Sequence, residues 1–186
     1  MITREEAVSL LASVGTEPNL LKHAYASEAV LHALAVRLGA DAEEWAMAGL
    51  LHDLDYPLTA ADMSQHGVKG AEMLRGKLPE EALHAIRAHN AEMTGVMPDT
   101  PFDHALRCGE TVTGMIMAAA LIRPTGIEGM EAKSVKKKMK DKAFAASVNR
   151  DAIKECGELG LELTDFLDLA IGAMDRIAGD LGLLKN

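Results

Sequence analysis

Aromatic residues make up only 3% of the 186-residue sequence, and it holds just two cysteines. So few aromatics leave the core to Ala, Leu and Met, which favour helices, whereas strands draw on β-branched and aromatic side chains. Cys108 and Cys156 have neither metal-type nor redox-type spacing, which argues against a disulfide framework and reads as two buried free thiols. No apolar stretch reaches the ~18 residues that span a bilayer. The opening residues carry acids early and lack a signal peptide's basic start and apolar run, so the expected compartment is the cytoplasm. Repeats, low-complexity stretches and long linkers are missing too. No segment alternates with period two, which removes the signature of strands.

What is present describes an ordinary soluble globule, 48% hydrophobic and 25% charged. The length suits one domain, spanning residues 1–186, with a core over about residues 18–123 and a helical extension over about 134–186. A formal net charge of −9 argues against general nucleic-acid binding. One segment departs from that average: Lys133, Lys136, Lys137, Lys138, Lys140 and Lys142 face a single acid, Asp141. A solvated helix face and a local anion site account for this run equally well.

The pattern reads as helix after helix, an all-α compact bundle. Thr3 can cap a first helix with Glu6 as its partner three residues on. Asn19 can cap a second, running to about Leu38 and stopped by Gly39. Asp41 can cap a third, which Pro57 ends by about Tyr56. A short helix is expected from about His66 to Leu74, and another from Pro79 to about His89. Residues 91–101 read as a loop. A long helix follows from about Phe102 to Ile122, then a basic one from about Ser134. Asp151 and Thr164 are candidate caps for two last helices. The final stripe of Leu167, Ala170, Met174, Ile177 and Leu181 either completes the core or meets a second copy of the chain.

Helical spacing sorts the seven histidines. His23 shares an apolar face with Ser27, Val30 and Leu34, so it points inward. His32 lies about 180° round and meets solvent. Ala82, Ile86 and His89 share a face, which leaves His84, and likewise His104, at the surface. His52 and Asp53 follow six uncharged residues, Ala46 to Leu51. Burying either group unpaired is costly, and a divalent cation satisfies imidazole nitrogen and carboxylate oxygen together. Glu110 is a second anomaly, on one face of an apolar helix with Thr113, Met117 and Ala120. Its carboxylate wants a cation, either Arg107 one turn back or a metal. A lone inward polar residue is more often structural than a ligand; several from different helices raise the odds of a site.

The ordered set of His23, the stretch Leu50-Leu51-His52-Asp53 and a late helical acid resembles the HD-domain superfamily of metal-dependent phosphohydrolases. His66-Gly67-Val68-Lys69-Gly70-Ala71-Glu72 and Ile86-Arg87-Ala88-His89-Asn90 are similar as well. The tail from Lys133 to Arg150 resembles a subgroup of small bacterial HD proteins. The resemblance implies an HD-type helical fold and a first divalent ion held by His23, His52, Asp53 and Glu110. It implies a second ion held by His66 and His89 with Asp53 bridging, and does not separate Mn, Fe, Co, Ni, Mg or Zn. The family usually has Asp where this chain has Glu110. The implied activity is hydrolysis, by metal-activated water, of a phosphate ester of a nucleotide or other small phosphorylated metabolite. Asp55 or Glu72 would accept a proton, unless they are plain surface carboxylates. Lys69, Lys136, Lys137, Lys142 and Arg150 are the candidate substrate contacts. The alternative is a catalytically degenerate HD module that binds metal or nucleotide in a regulatory role.

Overall fold

The computed structural model describes residues 1–185. It is all-α as expected; among the described residues the only β feature is an isolated bridge between Arg75 and Leu78. Helix α1 (Arg4–Ser13) opens on the predicted capping box, with Thr3 N–H donating to Glu6 Oε2 at 2.9 Å and Glu6 N–H to the Thr3 hydroxyl. Helix α2 (Pro18–Leu38) starts with a proline in its first turn after Glu17, so Asn19 lies inside it and is not its cap. Gly39, at φ 72°, closes it. In α3 (Ala42–Leu51), Asp41 Oδ1 accepts from the N–H groups of Glu43 and Glu44, both at 3.0 Å.

The third helix stops at Leu51, well before Tyr56. Pro57 does not end it; the ring sits in the first turn of the short α4 (Tyr56–Thr59), where a missing N–H costs nothing. Then come α5 (Val68–Met73), α6 (Glu80–Ala88) and α7 (Ala91–Thr94), the last in place of part of the expected loop. The long α8 (Pro101–Leu121) carries a capping box that the sequence reading missed, Thr100 with Asp103. After α9 (Ala132–Met139), Asn149 rather than Asp151 caps α10 (Arg150–Lys154), and a 3-10 turn covers Glu155–Leu159. Helix α11 (Leu163–Asp175) follows Glu162; Thr164, expected as its cap, instead accepts from Lys136 Nζ at 2.8 Å. The chain ends on α12 (Ala178–Leu181).

Helix α2 packs against α3, α8 and α11. Two glycines set how close these helices come. A Cβ on Gly49 would lie 2.7 Å from the Ser27 carbonyl oxygen, and one on Gly109 would lie 2.6 Å from Leu31 Cδ2. Bare backbone at both positions lets α3 and α8 close on α2. A continuous hydrophobic cluster fills the space between them, with Leu31, Leu34, Leu50, Leu51, Leu106, Ile116 and Phe166 fully buried. Trp45 stacks on Phe102 with ring centroids 4.8 Å apart. Leu167, Ala170, Met174 and Leu181 are buried in the same cluster, so that stripe completes the core of the chain itself.

Candidate metal centre

The close approach of α2, α3 and α8 brings their polar residues to one end of the bundle. His23 comes from α2, His52 and Asp53 from the turn just past α3, His66 from the turn before α5, His89 from the end of α6, and Glu110 from α8. Asp53 sits at the middle. Its Oδ1 lies 3.4 Å from His52 Nε2, 3.1 Å from His66 Nε2 and 3.6 Å from His89 Nε2, and its Oδ2 lies 3.6 Å from His23 Nε2. Glu110 Oε2 is 3.6 Å from His23 Nε2, so the longer side chain still reaches the cluster. Donor atoms of His23, His52 and Asp53 lie within 4.8 Å of one another, and so do those of Asp53, His66 and His89.

The far nitrogens of the four imidazoles decide which way their lone pairs point. His52 Nδ1 meets the Gly49 carbonyl at 2.8 Å and His89 Nδ1 meets the Ile86 carbonyl at 2.6 Å; both must donate, because a carbonyl only accepts. His66 Nδ1 donates to Asp55 Oδ1 at 2.9 Å. The Thr113 hydroxyl gives its proton to the Glu110 carbonyl at 2.7 Å, so His23 Nδ1, 2.8 Å away, donates to Thr113. In the neutral rings every Nε2 is therefore a bare lone pair, and all four face Asp53. His23 Nε2 and His52 Nε2 are 3.0 Å apart, and His66 Nε2 and His89 Nε2 are 3.1 Å apart. Lone pairs at that separation repel unless a cation or a proton lies between them. Imidazole nitrogens with carboxylate oxygens, each ring held through its other nitrogen, are a donor set that suits a divalent metal ion.

Electrostatics divide the rings: His52 stays neutral with a free Nε2, whereas His66 without a metal carries a proton that a bound cation would have to displace. Burial pushes His52 down to about 3. Burial also works against a charged His66, but its bonds to Asp53 and Asp55 prevail and raise it to about 9. Asp53 stays well below the usual carboxylate range despite its burial, because imidazoles surround it. Burial raises Glu110, with Thr111 O–H donating to its carboxylate. Arg107 does not neutralise it. The guanidinium pairs with Glu92 at 2.7 Å and Glu155 at 2.9 Å and donates to the carbonyls of Ala88 and His89. Arg107 thus fixes the end of α6 that carries His89. Asn90 acts similarly, its Nδ2 donating to the carbonyls of Met63 and His66.

Asp55 does not face a substrate. It is fully buried, and besides His66 it accepts the N–H groups of Gly67 and Gly70, both at 2.8 Å. Gly67, at φ 88° and with room for no Cβ beside the Ile86 carbonyl, makes that turn possible. Asp55 is a positioning residue for His66. The cluster opens into a cleft of about 660 Å³, lined also by Asn19, Leu20, Tyr56, Met63, Ser147 and Asn149. Glu72 and Lys69 are exposed and line no part of it. Lys136, Lys142 and Arg150 line a neighbouring cleft, while exposed Lys137 lines neither. His32 is exposed as expected. His84 and His104 are half-buried instead: His84 Nδ1 donates to buried Asp103 at 3.1 Å, and His104 Nδ1 bonds Glu155 at 3.0 Å.

No helix among the described residues is long and apolar enough to cross a membrane. The chain is 29% identical over 104 residues to Ribonuclease Y from Lawsonia intracellularis (strain PHE/MN1-00). That alignment covers 55% of this chain and 20% of the relative, so the chain spans about a fifth of that protein's length. The family model described as HD domain matches residues 20–122, from α2 to the end of α8, and encloses all six clustered residues. With more than half its length matched and these residues in one cluster, this chain belongs to the HD-domain family, whose members are in general metal-dependent phosphohydrolases.

Proposed function

We propose that the chain is a metal-dependent phosphohydrolase acting on a phosphate ester of a nucleotide or another small phosphorylated metabolite. The observation that carries this reading is the convergence of four imidazole lone pairs and two carboxylates at the floor of an open cleft. His23, His52, Asp53 and Glu110 would hold a first divalent ion, and His66 and His89, with Asp53 shared, a second. Bound there, a cation supplies Lewis acidity: it lowers the pKa of a water and offsets charge on the phosphoryl group. The residues around the site supply orientation. Gly49, Ile86, Asp55 and Thr113 lock the four rings through Nδ1, so the donor set is in place before substrate arrives. Phosphoryl transfer depends chiefly on such positioning. Leu20, Met63 and Val148 form apolar wall, and Asn19 and Ser147 offer neutral donors to a phosphate ester.

The name of the Ribonuclease Y relative raises RNA as a substrate. The cleft argues for a smaller ester, since its one arginine, Arg107, is engaged by Glu92 and Glu155. The test is metal analysis of protein purified without chelator, followed by a panel of phosphate esters and a short RNA assayed with Mn, Fe, Co, Ni, Mg or Zn. One or two ions per chain, turnover of a small ester, and loss of both metal and turnover in Asp53→Ala are expected. Metal uptake without turnover of any compound would favour the regulatory alternative, and failure to take up metal would overturn both.

A further inference from the structure

We propose that the lysine-rich cleft beside the metal centre is a second anion subsite, which takes a phosphate group of the substrate other than the one being cleaved. The substrate half of this inference rests on the phosphohydrolase reading; its location rests on the surface alone. Lys136, Lys140, Lys142, Arg150 and Lys154 line a hollow of about 760 Å³. Val148 and Asn149 line this hollow and the metal cleft alike, so the two cavities share a wall. A ligand that reaches across that wall meets the metal centre on one side and these cations on the other.

The cations come from separate segments: α9, the 140–149 stretch and α10. Cations near the C-terminal end of α9 complement its dipole, which accounts for Lys136, Lys137 and Lys138. It does not account for Lys142, Arg150 and Lys154 turning toward the same hollow. One acid lines it, Asp151, which pairs with Lys154 at 2.8 Å. Among the described residues no carboxylate lies within ion-pair distance of Lys136, Lys140 or Lys142. A chain of net charge −9 has acids in excess, yet leaves these cations uncompensated.

Two of them are held in place by neutral acceptors. Lys136 Nζ donates to the Thr164 hydroxyl at 2.8 Å. Arg150 Nη1 donates to the carbonyls of Ala145 at 2.8 Å and Val148 at 2.6 Å, and Nη2 donates to those of Asp141 and Phe144. Carbonyls orient a guanidinium without cancelling its charge. Arg150 therefore shapes the dividing wall and keeps a fixed positive charge beside it, a preorganised setting for an anion. No aromatic side chain lines the hollow, so it offers nothing on which a base could stack. The ligand it fits is phosphate, and the substrate class is a small molecule bearing two separated phosphate groups.

The probe is inorganic tripolyphosphate, added as its manganese complex so that it does not strip the protein's metal, and titrated calorimetrically into the manganese-loaded chain. Lys140 and Lys142 are both exposed, so Lys140→Ala with Lys142→Ala leaves the fold intact. This double variant should bind tripolyphosphate about tenfold more weakly, with manganese content unchanged. Asp53→Ala should lose the metal and keep the lysine-dependent binding. Equal affinity in wild type and the lysine variant, or loss of binding in Asp53→Ala alone, would overturn the proposal. So would a short oligoribonucleotide that binds through these lysines more tightly than tripolyphosphate. Wild-type protein that takes up no metal yet binds tripolyphosphate through the lysines would refute the phosphohydrolase reading and keep the subsite.

Discussion

Asp53 and Asp55 are two positions apart and do different work. Asp53 faces four imidazoles at the floor of the cleft, while Asp55 turns the other way, into the protein, to hold His66 and the backbone of the turn before α5. Asp55→Asn should weaken a second ion by about 10–100-fold and leave the first in place, which metal titration would show as one ion per chain instead of two. Asp103 makes a comparable contribution to stability. Burial opposes its charge, but the N–H of Asp99, His84 and Thr100 bring its carboxyl below the ordinary range. A depressed folded pKa means stability that is present above the unfolded value of about 3.9 and lost as pH falls through the folded value. Asp103→Asn should cost about 2 kcal/mol at pH 7, or about 4–8 °C in Tm, with the difference narrowing toward pH 2 in thermal melts. His23 and Glu110 were legible in the sequence because helical phase turns an ionisable group onto an apolar face, and His52 and Asp53 because they close a run of six uncharged residues. The role of Arg107 was not, because its partners Glu92 and Glu155 lie 15 and 48 residues away. Thr113 shared the face of Glu110 in the sequence, but only the fold shows it holding His23.

Helix lengths and contacts place those residues. The all-α class followed from the composition and the absent period of two, and Thr3, Gly39 and Asp41 act at helix ends as their chemistry dictates. The end of α3 was misread because Pro57 is as well suited to the first turn of a new helix as to stopping an old one. That early end frees His52 and Asp53 from helical phase, so adjacent side chains can address one point. Gly49 has two parts in this geometry: it admits Ser27 of α2, and its carbonyl orients His52. Gly49→Ala should cost between about 1 and 3 kcal/mol, seen as a Tm fall of about 2–4 °C per kcal/mol, because the added methyl meets backbone that has nowhere to move. Metal affinity should fall with it. The matching test on α8, Gly109→Ala, meets the end of a leucine side chain instead and should cost less.

Across the whole molecule, an acidic chain places three lysines without an ion pair among the described residues, Lys136, Lys140 and Lys142, in one hollow beside the imidazole cluster. Composition reported the net charge and the lysine run, but not that Lys136, Lys140 and Lys142 of that run line a hollow sharing a wall with the metal cleft, since that depends on how the 140–149 stretch folds back. Metal that binds only the folded state stabilises it: at about 100 times its Kd the gain is about 2.7 kcal/mol. Chelator should therefore lower the Tm of wild type by several degrees and leave that of Asp53→Ala unchanged. The most direct measurement is anomalous diffraction at the manganese edge from crystals of the manganese-loaded chain. A peak enclosed by His23, His52, Asp53 and Glu110 is the predicted result. A map without a peak there, with the four side chains in the same positions, would contradict it.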